Sequence, residues 1–299
     1  MSHVELLRVS PLTTIQDEGR IGLVSHGIGA SGPMDRNGYR RAADVTNRAC
    51  GAAIEVGPQG VDFIYRGRPL IAGFAGGVFL LEVDGEPRPW PTSVELVDGS
   101  RVFMRTGPAG NYGYIRFAAQ IDVPEVLGSR STNATVGLGG LEGRALRVGD
   151  ALGLVALEAD SPEPVRSENE ETGAIRFVWG IHAELFPSTV REAFIGTDFR
   201  VSPRMDRMGV RLEDTASVFE KARILGLVSD AVVPGDIQIL GDGTPIVLMR
   251  DNQPTGGYPR IGTIIDADID RFAQTRPGRL VRFASVTVEH ANRIAGARK

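Results

Sequence analysis

Cysteine, lysine and histidine, the side chains most often recruited for nucleophilic or metal chemistry, are scarce in this sequence. The single thiol, Cys50, excludes a disulfide framework and a cysteine-ligated zinc site. It follows a predicted helix in Arg48-Ala-Cys-Gly51 and reads as a small buried residue rather than a nucleophile. Lysine occurs only at Lys221 and at the last residue, Lys299, which confines amine chemistry to the former. Of the four histidines, His3 and His290 lie near the termini, leaving His26 and His182 for acid–base work. Neither belongs to an H-E-x-x-H pattern, and the sequence has no G-x-S-x-G elbow. No Walker A sequence occurs, so any ATP involved is not held here in a P-loop, and no metal site is expected. The formal net charge of −4 gives no electrostatic case for nucleic acid or an anionic membrane. No apolar run approaches bilayer-spanning length, and the opening MSHVELLRVS lacks an export pattern. A cytoplasmic protein is expected.

Glycine, by contrast, is abundant. With 38 glycines, 18 prolines and 42% hydrophobic residues among 299, the composition describes many short elements joined by tight turns around a real core. Strand-like runs include 69–73, 78–83, 94–97, 101–104, 175–179, 237–240 and 245–249. The turn dipeptides Asp84-Gly85, Asp98-Gly99 and Asp242-Gly243 stand at the ends of such runs. Helical candidates are few: 35–49, where Tyr39, Ala42, Val45 and Ala49 share a face, then 183–186, 188–194 and 268–274. The class is therefore mainly β with a few short helices. An acidic, proline-bearing stretch poor in apolar residues suggests a β domain over 1–160, a linker over 161–173 and a second β domain over 174–299. The two sides echo one another. Pro58 and Pro69 are spaced like Pro234 and Pro245, and Met-Asp-Arg-x-Gly-x-Arg occurs at 34–40 and again at 205–211.

The stretch His26-Gly-Ile-Gly-Ala-Ser-Gly-Pro-Met-Asp-Arg36 places Gly27, Gly29 and Gly32 on the G-x-G-x-x-G spacing, with Glu55 at about the distance of a ribose-binding acid. A dinucleotide turn must follow a buried strand. Residues 14–25 are polar and glycine-broken instead, and the downstream chain does not alternate βαβ. The loop is expected to enter a helix, with Ser31 or Asp35 near its N-cap.

Four polar, glycine-rich clusters remain: Gln16 to Arg20, Gly128 to Asn133 with Gly137 to Arg144 close behind, Ser202 to Gly209, and Asn252 to Arg260. Arginines beside hydroxyls and backbone amides suit a carboxylate or phosphate. Read structurally, Asp17–Arg20 and Asp206–Arg207 are ion pairs and the glycines make turns. Read functionally, the clusters share one cleft.

In order along the chain, Thr13-Thr-Ile-Gln-Asp-Glu-Gly-Arg20, Gly32-Pro-Met-Asp35, Gly128-Ser-Arg-Ser-Thr132, Gly139-Gly-Leu-Glu-Gly-Arg144, Asp206-Arg-Met-Gly209 and Thr255-Gly-Gly-Tyr-Pro259 resemble the biotin-dependent carboxyltransferase family, also called the allophanate hydrolase subunit 2 family. That family includes the C subunit of bacterial 5-oxoprolinase, KipA-type proteins and part of urea carboxylase. The resemblance spans nearly the whole chain. It implies tandem cyclophilin-like β-barrel domains and a polypeptide inactive alone, its site completed by a partner. That partner resembles allophanate hydrolase subunit 1 (KipI, or the oxoprolinase B subunit), and the oxoprolinase A subunit completes the assembly. The implied activity is ATP-dependent hydrolysis of a small lactam or amide, 5-oxoproline to glutamate, with ATP used by the assembled complex and biotin not expected. The alternatives are a KipA-type protein that binds a histidine-kinase inhibitor, and a carboxyltransferase component acting on urea-like amides. On this resemblance Asp17, Arg130 and Asp206 are the catalytic candidates. Arg20, Ser131, Thr132, Arg207, Gln253, Thr255, Gly256, Gly257 and Tyr258 are the substrate-binding ones.

Overall fold

The computed structural model of the chain describes residues 1–157, 173–220, 222, 224 and 226–297. The expected linker therefore lies outside the described residues except for Gly173. Contacts divide the chain into two units, Met1–Gly22 with Ala30–Ser167, and Leu23–Gly29 with Glu168–Lys299.

The N-terminal unit is one ten-stranded antiparallel sheet curled around its core. Its strands are β1 (Ser2–Val9), β2 (Thr14–Gln16), β3 (Ala53–Val56), β4 (Val61–Arg66) and β5 (Leu70–Val83). They continue with β6 (Glu86–Arg88), β7 (Thr92–Leu96), β8 (Arg101–Phe117), β9 (Gln120–Ile121) and β10 (Ala151–Val155). The order runs β2-β3-β8-β4-β1-β10-β9, and β5 pairs with β8, β6 and β7. Along Val78–Val83 exposed and buried residues alternate strictly, with Phe79, Leu81 and Val83 facing the core, as a half-solvated sheet requires. Two separate strands are expected at 69–73 and 78–83. The structure instead has one strand that continues through Gly76-Gly77, because β8 pairs with it on both sides of the irregularity. Opposite this point Phe79 pairs with Thr106 and Val78 with Ala109, so Gly107 and Pro108 bulge out of the ladder. Val4, Ile54, Phe63, Phe74, Ile115 and Phe117 are fully buried at the centre.

Helix α1 (Arg36–Asp44) lies on the first half of β5 and on β8. Asp35 caps it, its Oδ1 accepting from the Gly38 amide at 2.9 Å. The approach is close: a Cβ on Gly73 of β5 would stand 1.9 Å from the Ala42 carbonyl oxygen.

The C-terminal unit contains a closed barrel. It is built from β11 (Ile175–Trp179), β12 (Asp198–Met205), β13 (Gly209–Glu213), β15 (Asp236–Ile239), β16 (Pro245–Leu248), β18 (Arg260–Ile264) and β19 (Leu280–Ser285). A two-stranded ladder of β14 (Asp230–Ala231) and β17 (Thr255–Gly256) stands apart from it. Closure follows the order β11-β18-β15-β16-β13-β12-β19, sealed by a parallel pair between β11 and β19. Phenylalanines fill the interior: Phe194 lies 5.1 Å from Phe283, 5.3 Å from Phe177 and 5.5 Å from Phe199, ring centre to ring centre. Helices α2 (Ser188–Gly196) and α3 (Asp266–Ala273) occupy expected positions, whereas α4 (Val288–Ala297) lies outside the expected helices. Its start is marked by the Thr287 hydroxyl, which accepts from the His290 amide.

The fold is thus mainly β, a closed seven-stranded barrel and a half-barrel sheet of cyclophilin-like type. The expected echoes fare unevenly. Met34–Arg40 leads into a helix while Met205–Arg211 turns β12 into β13. Likewise β15 and β16 form a hairpin, whereas β4 and β5 each pair with β8 instead of with one another. No helix among the described residues is long and apolar enough to cross a membrane.

Replacing Gly73 by alanine should lower stability by about 1–3 kcal/mol through overpacking against the α1 backbone, read as a reduced urea midpoint with an unchanged slope.

Candidate functional site

In the N-terminal unit, β2 delivers Gln16 and Asp17 to the segment Ser129–Thr132. The two chains are laced together. The Thr132 amide donates to the Ile15 carbonyl at 2.8 Å, Gln16 Nε2 to the Thr132 carbonyl at 3.0 Å, and the Asp17 amide to Ser131 Oγ at 2.9 Å. The Asp17 carboxylate accepts from Ser129 Oγ at 2.5 Å, Ser131 Oγ at 2.6 Å, the Arg130 amide at 2.5 Å and the Gly19 amide at 3.0 Å. Burial alone would raise its pKa, but these donors outweigh it and hold the group below the ordinary carboxylate range. A carboxylate so committed is a clamp and a poor proton acceptor.

Arg20 is 1% exposed, its guanidinium turned inward onto the carbonyls of Val126 at 3.1 Å and Ser131 at 2.5 Å. That position suits loop construction better than substrate contact. Arg130 differs: its side chain is 31% exposed and pairs with Glu125 at 3.1 Å. Ser131 and Thr132 are fully buried. The structure therefore brings Asp17, Arg20, Arg130, Ser131 and Thr132 together; Arg20, Ser131 and Thr132 are buried, and Asp17 and Arg130 are partly exposed.

The glycine-rich loop has no dinucleotide geometry. Val24–His26 form one 3-10 turn, and no strand runs directly into Gly27. Gly19 has φ +91°, and a Cβ there would meet the Ala30 carbonyl oxygen at 2.7 Å, so the 17–20 and 30–32 backbones pack directly together. Glu55, at ribose distance in the sequence, is fully buried. It accepts from the Met34 amide at 2.7 Å and from the Tyr114 hydroxyl at 2.9 Å, while that hydroxyl accepts from the Asp35 amide at 2.7 Å. Burial, then the charges of Glu55 and Asp35, push the Tyr114 phenol well up. Cys50 is half-buried, and burial raises its thiol pKa, which leaves it a poor nucleophile. His26 is exposed, and the His182 ring accepts the Arg260 amide at 3.3 Å.

In the C-terminal unit, Arg207 forks onto Asp251, Nε to Oδ2 at 2.8 Å and Nη2 to Oδ1 at 3.0 Å. Both side chains are almost wholly buried, at 5% and 3% exposure. The adjacent Asp206 is exposed and accepts the Met208 and Gly209 amides at 2.7 and 3.0 Å, setting the β12–β13 turn. The sequence-adjacent Asp206–Arg207 pair thus serves two different structural tasks. Downstream, Thr255 and Gly256 pair with Ala231 and Asp230, the Gly257 carbonyl accepts the Leu227 amide at 2.7 Å, and Gln253 and Tyr258 are exposed.

This unit also holds an open cavity of about 600 Å³, lined by none of the residues given a catalytic or substrate-binding role from the sequence. Arg204, Arg211, Asp214, Glu220 and Asp242 face it together with the Ser202 side chain. A signal for it existed: Arg211 closes the second Met-Asp-Arg-x-Gly-x-Arg motif. Its other walls come from separate segments, which spacing cannot unite. Among the described residues no three His, Cys, Asp or Glu side chains are grouped to hold a metal.

A family model described as the carboxyltransferase domain, subdomains A and B, matches residues 26–285. The chain is 33% identical to the C subunit of 5-oxoprolinase from Escherichia coli, over 96% of this chain and 93% of that protein. It is 29% identical to the corresponding 5-oxoprolinase C subunit of Haemophilus influenzae, over 97% and 94%. The crystal structure of urea amidolyase from Kluyveromyces lactis superposes with a TM-score of 0.88 at 24% identity, over 99% of this chain but only 19% of that one, a likeness of fold.

Two outcomes test the clamp and the buried pair. Because the Asp17 pKa is depressed on folding, its contribution is complete above the unfolded value of about 3.9 and disappears as pH falls through the folded value. Asp17→Asn should therefore flatten the acid limb of a stability–pH curve below about pH 4 relative to the wild type. Asp251→Ala should cost about 3–5 kcal/mol in urea unfolding, since it strands the buried Arg207 charge.

Proposed function

The chain belongs to the carboxyltransferase-domain family, subdomains A and B, and from that membership we propose that it is the C subunit of an ATP-dependent 5-oxoprolinase, opening the lactam of 5-oxoproline to glutamate in the cytoplasm. The observation that carries this reading is identity of 33% spread over 96% of the chain and 93% of the Escherichia coli protein. Relatives among the urea amidolyases are matched less closely, at 28% for the Saccharomyces cerevisiae protein and over 17% of its length.

On this reading two further polypeptides complete the enzyme, a B subunit resembling allophanate hydrolase subunit 1 (KipI) and an A subunit. The geometry is consistent with such sharing. Asp17, Arg20 and the Arg207–Asp251 pair are engaged within their own units, while Arg130 offers a partly exposed guanidinium on a loop that Asp17 holds rigid. Arg130 is the residue to meet an anionic oxygen developing on the attacked lactam, and a donor so placed is worth about 3–4 kcal/mol. The exposed Gln253 and Tyr258 border the loop to which substrate contacts are assigned. The described residues do not suit a nucleoside triphosphate. There is no P-loop, and the open cavity carries Glu213, Asp214, Glu220 and Asp242 against two arginines, a balance that repels polyphosphate. ATP use is therefore assigned to another chain of the assembly, and biotin has no part in this reading.

Mixing the three purified chains with 5-oxoproline and ATP should release phosphate and glutamate together, and release neither when this chain is omitted. Arg130→Ala should lower that turnover roughly 10²–10³-fold while co-elution of the three chains on size exclusion is unchanged. Failure of three folded chains to turn over 5-oxoproline removes the reading. The family description, a carboxyltransferase domain, supports one rival: on that reading the chain passes a carboxyl group from carboxybiotin to a urea-like amide. Capture of this chain's native complex on avidin would support it.

A further inference from the structure

The turn between Val126 and Ser129 holds a leucine in a conformation that suits glycine. The Val126 amide donates to the Ser129 carbonyl at 2.9 Å and the Ser129 amide to the Val126 carbonyl at 3.3 Å, so Leu127 and Gly128 form a two-residue hairpin loop. Their φ values are +54° and +76°, the left-handed pair for which Asn-Gly or Gly-Gly is the usual sequence. For a residue carrying a Cβ that conformation costs roughly a factor of 5–30 in population. Leu127 recovers little of this within the chain. It is 54% exposed, and a Cβ on the neighbouring Gly128 would meet nothing within 4 Å, so the tip stands clear. Leu12 has a similar φ but is more covered. Leu127 is therefore the one mainly exposed apolar side chain with positive φ among the described residues.

The tip is also held still. Arg20 Nε donates to the Val126 carbonyl at 3.1 Å, and the Asp17 carboxylate takes the Ser129 hydroxyl and the Arg130 amide. Glu125 pairs with Arg130 across the base of the hairpin at 3.1 Å. An apolar side chain that is strained, exposed and rigidly presented beside a charged pair has the form of an interface anchor, because pre-organisation spares part of the ordering cost of binding. A convex knob fits a socket and does not enclose a small molecule, whose sites are concave. We propose that Leu127 docks into an apolar socket on the B subunit, rimmed by charges complementary to Glu125 and Arg130. This rests on the subunit reading given above. The occupant follows from position: Arg130, the group assigned there to the shared site, lies three residues along the same hairpin, so a chain that closes over Arg130 meets Leu127 as well. A related solved structure leaves room for such a partner. At 27% identity and a TM-score of 0.80, the region matching this chain makes up 56% of that one, and the rest is further polypeptide.

Calorimetric titration of the purified B subunit into the full chain tests it. Leu127→Asn accepts the left-handed φ, so it should raise the urea midpoint of the lone chain while weakening the B subunit by about tenfold or more, the worth of one buried leucine side chain. Leu127→Gly should weaken it to the same extent, whereas Leu127→Met, which keeps the apolar bulk, should stay within about threefold of the wild type. In the three-chain assembly the turnover lost by Leu127→Asn should return in excess B subunit, unlike the loss expected for Arg130→Ala. If the wild type binds the B subunit and both polar and glycine variants bind it equally well, the docking proposal fails and the subunit reading stands. If the wild type does not bind it, both fail. A lower urea midpoint for Leu127→Asn overturns the proposal by making the leucine a structural one. A loss confined to self-association of the lone chain in sedimentation overturns it too, by assigning the socket to a second copy.

Discussion

Carboxylates accepting from backbone amides hold this protein's loops in place. A glycine-rich loop has few side chains with which to anchor itself, yet its amides, once withdrawn from water, require acceptors. Asp17 receives the amides of Gly19 and Arg130, Glu55 that of Met34, Asp35 that of Gly38, and Asp206 those of Met208 and Gly209. Each carboxylate ties residues distant in sequence or fixes a turn that no apolar packing would specify. Much of the acidic charge in the motifs is spent on architecture.

The two units solve the problem of sheet edges differently. In the C-terminal unit closure leaves no barrel edge unpaired, and a cluster of phenylalanines fills the space within. The N-terminal unit uses long strands. β5 and β8 run against each other for most of their length and bend where Gly107 and Pro108 leave the ladder. One strand pair can thereby contribute to both the helix-covered part of the sheet and the part that faces water.

Legibility in the sequence followed the range of the interactions concerned. β11 matched its apolar run residue for residue, and β15 and β16 nearly so, because alternation and burial are local signals. The Asp35 cap was legible for the same reason. The apolar run at 101–104 marks only the start of β8, since Thr106-Gly-Pro-Ala-Gly110 has the composition of a turn and only pairing with β5 carries the strand through it. Among the site candidates, Asp17 and Ser131 lie in hydrogen-bond contact, and their joint role as a clamp joins segments more than a hundred residues apart. The partner of Arg207 is Asp251, not its neighbour, and no spacing rule joins those positions. The cavity is not legible in the sequence because its walls come from β12, β13, the turn after it and the β15–β16 hairpin, which only the fold unites. Resemblance supplied the barrel architecture that periodicity could not, and the family match and fold bear it out.

Each unit pairs its first described strand with a late one, and in the second that pairing closes the barrel: Ser2 of β1 lies against Leu154 of β10, and Ile175 of β11 against Phe283 of β19. During synthesis neither seam can zip until the far strand has left the ribosome. The order of emergence then lets the first unit complete its ladder while the second still waits for its closing strand. For that interval the open flanks of β11 and β12 present unpaired backbone to solvent, and any nascent-chain chaperone this protein needs has its task there.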